Sequence, residues 1–344
     1  MHGDPAQHYC PACGSDRVSP RLVHHWRCEA CGVTDWKNPQ PVAGTFVVRD
    51  RRVLLVRRSR EMEYGAGRWA FPGGFVEQGE TPWQAAVRET CEEAGVRPRI
   101  LRALPPQTVL APHHIVMPFL AELTADEEPA PGSECDEVAW FAFDEIPWEE
   151  IAFPTTTAAL RGLVAGEAGT DVYGEVASPD RARMSLRYCA RCGTPLGAPG
   201  ADGAVRCPSC TTARWVNPSP TAGFLAIGER RILLGLRSQG RDGAGRWALP
   251  SGHMEPGETP AETAARELLE ETGVEAVADR FVGLFASGDH SEAVYAGPIL
   301  AEHAAPTGEF ADLGWFTGAE AEGLSTHHGT PRLVRWARAS GLLD

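Results

Sequence analysis

The sequence contains one unit twice, and this duplication constrains the fold more than any other feature. The stretch Cys10–Cys13 recurs as Cys189–Cys192, at an offset of 179 residues. After one deletion the offset becomes 178, and the stretch Gly65–Ala70 recurs as Gly243–Ala248. Each unit is far longer than a solenoid repeat, so the pattern predicts two duplicated domains in one chain.

The length agrees with this division, since 344 residues correspond to about two domains of roughly 150 residues each. A stretch rich in glycine and charge, 166–185, is predicted to be the linker. The predicted order is a cysteine ribbon at 1–37, a domain at 38–165, the linker, a second ribbon at 186–216 and a second domain at 217–344.

The composition excludes several classes of protein. With 43% apolar and 23% charged residues, the chain has an ordinary globular composition. Its 32 basic residues are outnumbered by 46 acidic ones, for a net charge of −14, so a nucleic-acid partner is not expected. No apolar run approaches the ~20 residues that cross a bilayer, and the first residues lack the blocks of a signal peptide. We therefore expect a cytoplasmic protein without a membrane partner.

Both units show the same predicted order of elements. A hairpin is predicted at 46–56 in the first unit and at 224–236 in the second, each around a short polar turn. A glycine-rich loop, a helix and further strands follow. A short C-terminal helix is predicted at 156–164 and at 331–339. This order makes each unit a mixed α/β domain.

The boundaries of the helix after the glycine-rich loop are well marked. Thr81 and Thr259 are typical N-cap residues, each followed by proline and then by the Gln or Glu of a capping box. Gly95 and Gly273 favour the left-handed conformation that ends a helix.

Each unit opens with two C-x2-C pairs separated by fourteen residues. Two thiolates across a tight turn can bind one ion, and two such turns complete a tetrahedral site without an open position. A closed site of this kind is structural, so we predict one zinc ion in each ribbon. The predicted ligands are Cys10, Cys13, Cys28, Cys31, Cys189, Cys192, Cys207 and Cys210.

The sharpest pattern lies on the helix after the glycine-rich loop, where residues i, i+3 and i+4 share one face. The glutamates that converge in this way are Glu89, Glu92 and Glu93 in the first unit and Glu267, Glu270 and Glu271 in the second. Three neighbouring carboxylates repel one another and favour a bound cation, and oxygen ligands suit Mg²⁺ or Mn²⁺. For a single run of this kind, a solvated acidic helix face is the stronger alternative.

An arginine precedes each glutamate cluster. Arg88 can pair with Glu80, and Arg266 can pair with Glu258, so that each arginine orients the carboxylates beside it.

The repeated pattern resembles the Nudix box, G-x5-E-x7-R-E-U-x-E-E-x-G-U, where U is an apolar residue. Both units carry all seven fixed letters, and a chance match is on the order of 10⁻⁸ per starting position. The sequence is therefore similar to the Nudix hydrolase superfamily over nearly all of both units. Two positions depart from the pattern or differ between the units: Thr90 replaces the first apolar residue, and Ser251 stands where the first unit has Gly73.

The resemblance implies two Nudix-type α-β-α sandwich domains with mixed sheets, each preceded by a four-cysteine zinc ribbon. It implies that water attacks a phosphorus of a nucleoside diphosphate linked to a group X. The six clustered glutamates then correspond to the ligands of the divalent cation. The proton acceptor is one of them, or Glu134 or Glu309, which precede a tryptophan by six residues. The candidate substrate contacts are Gly73, Gly74, Ser251, Gly252, Trp69 and Trp247. The two tryptophans are candidates for stacking a base, although a tryptophan at a strand end is more often a core residue.

The resemblance leaves the substrate open. A ribbon ahead of a Nudix domain is similar to NADH pyrophosphatases and to relatives that cleave FAD or ADP-ribose, but the SQPWPFPxS motif linked to NADH is missing. A dinucleotide pyrophosphatase is the leading hypothesis. The alternatives are a hydrolase of nucleoside triphosphates or of a cofactor-derived intermediate, and a catalytically silent nucleotide sensor or nucleic-acid adaptor.

Several further expectations concern side chains near the box and the pairing of the units. His113, His114 and His290 are candidates for phosphate or ribose contacts, although loop histidines are mostly solvated. Cys91 and Cys135 are interpreted as small, semi-buried residues rather than reactive thiols. We also expect the two domains to pack as an internal pseudo-dimer.

Overall fold

The structure is a computed structural model. It describes residues 8–22, 25–36, 38–62, 64–109, 114–124, 127–167, 169–176, 186–200, 204–215, 217–241, 243–287, 289–301, 304–327 and 329–344. Among these residues, no helix is both long and apolar enough to cross a membrane. The predicted candidate His113 and most of the second half of the predicted linker lie outside the described residues.

The first repeat begins with a three-stranded ribbon and continues into a mixed sheet. The ribbon strands are β1 (Val18–Leu22), β2 (His25–Cys28) and β3 (Thr34–Trp36). The elements that follow are β4 (Gln40–Arg49), β5 (Arg52–Arg58), β6 (Trp69–Ala70), β7 (Gly73–Phe75), α1 (Pro82–Ala94), β8 (Pro98–Ala103), β9 (Gln107–Val109), β10 (His114–Leu123), β11 (Cys135–Ala142), a 3₁₀ turn (Trp148–Glu150) and α2 (Pro154–Val164).

The second repeat has the same order of elements, with small differences. Its elements are β12 (Tyr173–Glu175), β13 (Ala204–Arg206), β14 (Ala213–Trp215), β15 (Ser219–Phe224), β16 (Ile227–Gly228), β17 (Arg231–Arg237), β18 (Trp247–Ala248), β19 (Ser251–His253), α3 (Pro260–Thr272), β20 (Glu275–Ala276), β21 (Arg280–Ala286), β22 (His290–Ala296), β23 (Ile299–Ala301), β24 (Phe310–Phe316), α4 (Gly318–Glu322) and α5 (Thr330–Ala339). The predicted hairpins and C-terminal helices are confirmed to within a few residues.

In the first repeat the main strands have the order β11-β5-β4-β10-β8, and only the β4–β10 pair in this series is parallel. In the second repeat β15 and β22 form the equivalent parallel pair. The sheet of the first repeat lies between the helices α1 and α2. Alternate residues of β4 face opposite sides of the sheet, and each side packs against one helix. Ala43 packs on the α1 side with Ala86, whereas Phe46 packs on the α2 side with Leu160. The mixed sheet and the α-β-α layers predicted from the sequence are therefore confirmed.

Thr90, the polar residue at an apolar position of the box, has a buried partner. Its hydroxyl lies 2.7 Å from that of Thr45 on β4 and 2.7 Å from the carbonyl oxygen of Ala86. The second repeat has Phe224 and Leu268 at these two positions, both fully buried. The departure therefore replaces an apolar contact between helix and sheet by a hydrogen bond.

The two repeats share one hydrophobic core. Met117 and Phe119 of the first repeat belong to the same buried cluster as Phe224 and Leu284 of the second. Thr170, in the predicted linker, hydrogen-bonds the backbone of Ala103 in one repeat and the carbonyl of Val282 in the other. The described part of the linker is thus packed against both repeats.

The ribbons meet through contacts that repeat under a two-fold operation. The ring of Tyr9 packs on Gly193, and the ring of the equivalent Tyr188 packs on Gly14. A Cβ at either glycine would lie within 2.8–2.9 Å of the ring, so a side chain there would force the ribbons apart.

A charged pair marks the centre of this arrangement. Asp35 and Arg214 occupy equivalent positions in the two ribbons, and their side chains form a two-pronged ion pair, with Nη1 of Arg214 2.8 Å from Oδ2 of Asp35. The Asp35 side chain is only 2% exposed. Contact between equivalent positions places this pair on the pseudo-two-fold axis.

Replacing Arg214 by alanine should reduce the free energy of unfolding by about 2–3 kcal/mol, because it leaves a buried carboxylate without the guanidinium that neutralises it. Urea denaturation measures the loss. The double variant D35A/R214A is the matched control, and it should be more stable than R214A because it removes both charges. A double variant that is as unstable as R214A would contradict this account of the pair.

Candidate active site

The box helices α1 and α3 begin and end as predicted. Thr81 and Thr259 cap them, each in a complete capping box, and Gly95 and Gly273 end them in the left-handed conformation with φ of 68° and 74°. These caps fix the start of each helix relative to the preceding loop. The three glutamates of each box, at i, i+3 and i+4, are therefore presented toward the loop that contains Gly73–Gly74 or Ser251–Gly252.

Arg88 connects the loop, the helix and the acidic cluster. Its Nε and Nη2 atoms donate to both carboxylate oxygens of Glu80, at 2.8 and 3.0 Å. Nη1 donates to Glu89 at 2.7 Å and to Glu92 at 3.1 Å, while Nη2 also reaches the carbonyl oxygen of Phe75. The arginine therefore holds Glu89 and Glu92 at fixed positions beside the loop.

Arg266 makes the same five contacts in the second repeat. It binds Glu258 through two hydrogen bonds of 2.6 and 3.0 Å and reaches Glu267, Glu270 and the carbonyl oxygen of His253. The two repeats differ in the surrounding residues, but the arginine and its glutamate partners have the same arrangement in both.

Gly74 and Gly252 occupy loop positions where a glutamate carboxylate leaves no room for a side chain. A Cβ at Gly74 would overlap the carboxylate of Glu89, and a Cβ at Gly252 would overlap that of Glu267. The absence of a side chain lets the loop backbone lie directly against the acidic face. Any ligand bound to these carboxylates must therefore also lie beside the loop backbone.

The last glutamate of each box is buried beneath this surface. Glu93 is 5% exposed, and its Oε2 accepts a hydrogen bond of 2.9 Å from the amide nitrogen of Gly73. Burial is the main cause that raises the pKa of Glu93 to about 8; the hydrogen bond from Gly73 opposes the rise, and the charges of Glu89 and Glu134 contribute to it.

Glu271 is the equivalent residue in the second repeat and is the more strongly perturbed of the two. It is 3% exposed, accepts from the amide nitrogen of Ser251 at 2.9 Å, and has an Oε1 atom without a hydrogen bond in the described part of the chain. Burial is the main cause that raises the pKa of Glu271 to about 10, and Glu309 and Glu267 contribute to this rise. Burial also raises the pKa of Glu267 to about 7.

These carboxylates fit a divalent cation by their chemistry. They provide oxygen donors of like charge, one of which is buried without a hydrogen-bond donor, so a cation would relieve both the repulsion and the unmet hydrogen bond. Arg88 and Arg266 already bind two carboxylates of each box. Among the described residues, only the cysteine groups bring three or more ligand atoms within 4.8 Å of one another.

Glu134 and Glu309 also belong to this acidic region. Glu134 raises the pKa of both Glu89 and Glu93, and Glu309 forms an ion pair of 2.6 Å with Arg241. Their spacing before a tryptophan was the only sequence signal for them. It suffices because β11 and β24 pair with the strands that precede each glycine-rich loop.

The candidate tryptophans lie elsewhere. Trp69 is 5% exposed and packs edge-on against Phe141 in the core, at 4.8 Å between ring centroids. Trp247 makes the equivalent contact with Phe316 at 4.7 Å. Trp69 is therefore a core residue, the alternative to base stacking, and has no accessible ring face.

The remaining candidates have local contacts. His114 packs edge-on against Phe75, with 5.1 Å between centroids, and His290 lies 3.0 Å from the hydroxyl of Ser287. Cys135 is buried and Cys91 is half-buried, as interpreted from the sequence.

Glu292 on β22 was not identified from the sequence. It lies beside Ser251, whose side chain hydrogen-bonds it. The sequence gives no signal for Glu292. Its equivalent in the first repeat is Val116, and this correspondence is visible only when β10 and β22 are aligned through their registers with β4 and β15.

The four cysteines of each ribbon lie together. The Sγ atoms are 3.7 Å apart for Cys10–Cys31 and Cys13–Cys28, and 3.6 and 3.5 Å apart for Cys189–Cys210 and Cys192–Cys207. A tetrahedron of thiolates at about 2.3 Å from zinc has edges close to these values, whereas a disulfide is about 2.05 Å long. Both groups can therefore hold zinc.

The NUDIX domain family matches residues 38–159 and 217–337, which together cover more than half of the chain. The chain belongs to this family. Among curated proteins, the NAD-capped RNA hydrolase NudC of Pseudomonas aeruginosa is 30% identical over 139 residues, and that of Chromobacterium violaceum is 32% identical over 141. Each match covers 40% of this chain and 49% or 51% of the relative, so the chain spans about half the length of these proteins.

Solved structures also match parts of this chain. A NUDIX hydrolase from Nitrosomonas europaea is 31% identical, covers 46% of this chain and 90% of its own, and has a TM-score of 0.41. An ADP-ribose pyrophosphatase from Streptococcus suis is 20% identical, covers 38% of this chain and 94% of its own, and has a TM-score of 0.33.

Glu271→Gln should stabilise the chain in the presence of chelator at neutral pH, because glutamine keeps the acceptor for Ser251 and is neutral without taking up a proton on folding. A folded-state pKa of about 10 means that the wild type loses stability as pH rises from about 4.5 toward that value. The variant should therefore gain most at pH 7–9 and little at pH 4. Thermal denaturation across pH measures this difference.

Glu270→Gln is the matched control, since the Glu270 side chain is 59% exposed and its neutralisation should change stability little. Adding Mn²⁺ should raise the melting temperature of the wild type more than that of the Glu271 variant. Equal pH profiles for wild type and Glu271→Gln would contradict the burial argument.

Proposed function

We propose that this protein is a metal-dependent Nudix pyrophosphohydrolase that cleaves a nucleoside diphosphate linked to a group X. The substrate class is a dinucleotide of the NAD type, ADP-ribose or FAD, and the products are AMP and the other phosphorylated half. One observation supports the proposal. In each repeat a group of box glutamates, one of them buried, lies directly against the loop backbone, and this close approach is possible because Gly74 or Gly252 has no side chain.

The six clustered glutamates would hold Mg²⁺ or Mn²⁺. When bound, such ions neutralise the pyrophosphate and lower the pKa of water. Arg88 and Arg266 keep the carboxylates of each cluster in place, and their own charge is already neutralised by Glu80 and Glu258. The loop that contains Gly73–Gly74, or Ser251–Gly252, lines the pyrophosphate in this scheme.

The proton from the attacking water requires a carboxylate with a raised pKa near the acidic face. Burial raises the pKa of Glu93 and Glu271, a bound cation would favour their deprotonated forms, and Glu134 and Glu309 lie close enough to change their pKa values. We propose that this group of carboxylates supplies the base in each repeat.

The substrate panel should include NAD-capped RNA as well as free dinucleotides. The curated relatives are named as hydrolases of that RNA, which motivates its inclusion. The net charge of −14 opposes the binding of a long phosphate backbone, so we propose that a small nucleotide is the better substrate.

Three further proposals follow from the same contacts. Structural zinc fills both ribbons, the two repeats act as an internal pseudo-dimer in solution, and the protein works in the cytoplasm. The Sγ distances and the shared core support the first two. Free cysteines at metal-binding spacing support a reducing compartment.

Steady-state turnover on this panel with Mg²⁺ or Mn²⁺ tests the function. Glu93→Gln and Glu271→Gln should each remove one component of activity by about 10²-fold to 10⁴-fold, because each loses a charged ligand or base, and the double variant should lose both. The exposed position Glu128, outside the box, provides a Glu→Gln control that should retain full activity.

Full activity in the double variant would contradict the proposed chemistry. If Glu271→Gln alone abolished turnover of every substrate and Glu93→Gln changed nothing, the first repeat would be a scaffold rather than a second active site.

Elemental analysis should find close to two zinc ions per chain, retained under mild chelation. Among the described residues of the first ribbon, the buried hydrophobic cluster consists of Cys10, Ala12 and Cys28, which is too small to offset the entropy of ordering the ribbon without metal. Cys13→Ser should lower the content to one zinc, whereas Cys91→Ser should leave it at two. A zinc-free protein with intact folding would refute this proposal.

A further inference from the structure

One row of side chains beside the box differs in chemistry between the repeats. In the first repeat Val42 of β4 is in register with Phe75 of β7 and with Val116 of β10. In the second repeat Thr221 of β15 is in register with His253 of β19 and with Glu292 of β22. Residues in register share one face of a sheet, so the rows are Phe-Val-Val and His-Thr-Glu.

This row lies on the face of the sheet that points away from the box helix. Ala43 and Ala222, the next residues on β4 and β15, pack in the cluster that also contains residues of α1 and α3. The row residues therefore point the other way. Thr221, His253 and Glu292 are all partly exposed, so a ligand can reach them.

Ser251 connects the row to the acidic face in the second repeat. Its amide nitrogen donates to Glu271, and its side chain hydrogen-bonds Glu292. Gly223 makes this meeting possible, because a Cβ there would lie 3.0 Å from the Cβ of Ser251 and 3.1 Å from Oε1 of Glu292. The carboxylate of Glu292 is thus held beside Ser251, in the loop that is proposed to line the pyrophosphate.

The first repeat cannot hold the same pair. A Cβ at Gly73 would lie 2.7 Å from the carbonyl oxygen of Ala43 and 2.9 Å from the ring of Phe71. The second repeat has Leu249 in place of Phe71, and the smaller side chain accompanies Ser251. Several positions therefore differ together, which argues against a single neutral substitution.

We propose that Glu292 determines the substrate class of the second site, which takes a group X with free sugar hydroxyls over the His-Thr-Glu row. The Phe-Val-Val row of the first site takes a group X that ends in a flat aromatic ring. This inference rests on the proposed function and assigns a different preference to each of its two sites.

The chemistry of the two rows supports this division. A carboxylate can accept two hydrogen bonds from neighbouring hydroxyls, and hydrogen bonds to a charged group are about twice as strong as those between neutral groups. An uncharged aromatic ring gains by packing on Phe75, but over the second row it would displace water from Glu292 without supplying the hydroxyl donors of a sugar.

ADP-ribose and diadenosine diphosphate are the probes, because they share the ADP half and the second ribose and differ only at the end of X, where one carries a hydroxyl and the other an uncharged adenine ring. The measured quantity is the ratio of kcat/KM for ADP-ribose to that for diadenosine diphosphate. Full-length E93Q reports the second site and E271Q reports the first. We expect a higher ratio for E93Q than for E271Q.

Adding E292V to the E93Q chain should lower this ratio by about tenfold or more, given the usual strength of hydrogen bonds to charged groups. E292Q keeps the shape and removes the charge, so it should lower the ratio less and serves as the variant least at risk of misfolding. A purely structural role would reduce both kcat/KM values equally and leave the ratio unchanged. A ratio unchanged within twofold in both variants would overturn the inference.

Failure of the proposed function has a different outcome, namely that neither probe is turned over by the wild type with either cation. Calorimetric binding of ADP-ribose and diadenosine diphosphate to the E93Q/E271Q chain, with and without E292V, then decides the inference. Selective weakening of ADP-ribose at one site supports it. Equal effects on both ligands, or none, refute it.

Discussion

The structure depends on how carboxylates of like charge are kept close together inside a folded chain. Arg88 and Arg266 hold two carboxylates of each box and connect them to a third on the preceding loop. Glycine at 74 and 252 lets the loop backbone approach these charges. The helix caps fix where the box glutamates begin, and the loop and the sheet register fix the backbone that lies against them. Each of these elements therefore positions part of the acidic cluster.

The elements that follow local rules could be predicted from the sequence. The Thr caps, the terminal glycines and the i, i+3, i+4 spacing need only neighbouring residues, and they define the box helix in both repeats. The Sγ groups of the ribbons follow in the same way from C-x2-C spacing. Glu134 and Glu309 were found through their distance from a tryptophan, since a strand has a regular rise.

Features that depend on strand pairing could not be predicted in this way. The burial of Trp69 against Phe141 depends on the β5–β11 and β5–β6 pairs, which connect residues far apart in sequence. Glu292 is similar, because its neighbour Ser251 is 41 residues away and reaches it only across β15. A one-residue shift in either register would have placed these side chains on the opposite face.

The Asp35–Arg214 contact bears on the history of this chain. In a symmetric dimer of identical halves, a residue on the axis faces its own copy, and a charged residue there would repel itself. Here the two copies carry opposite charges, so each half is complementary to the other and not to itself. The duplication has thereby become difficult to reverse: a separated half could pair with a copy of itself only by burying two like charges.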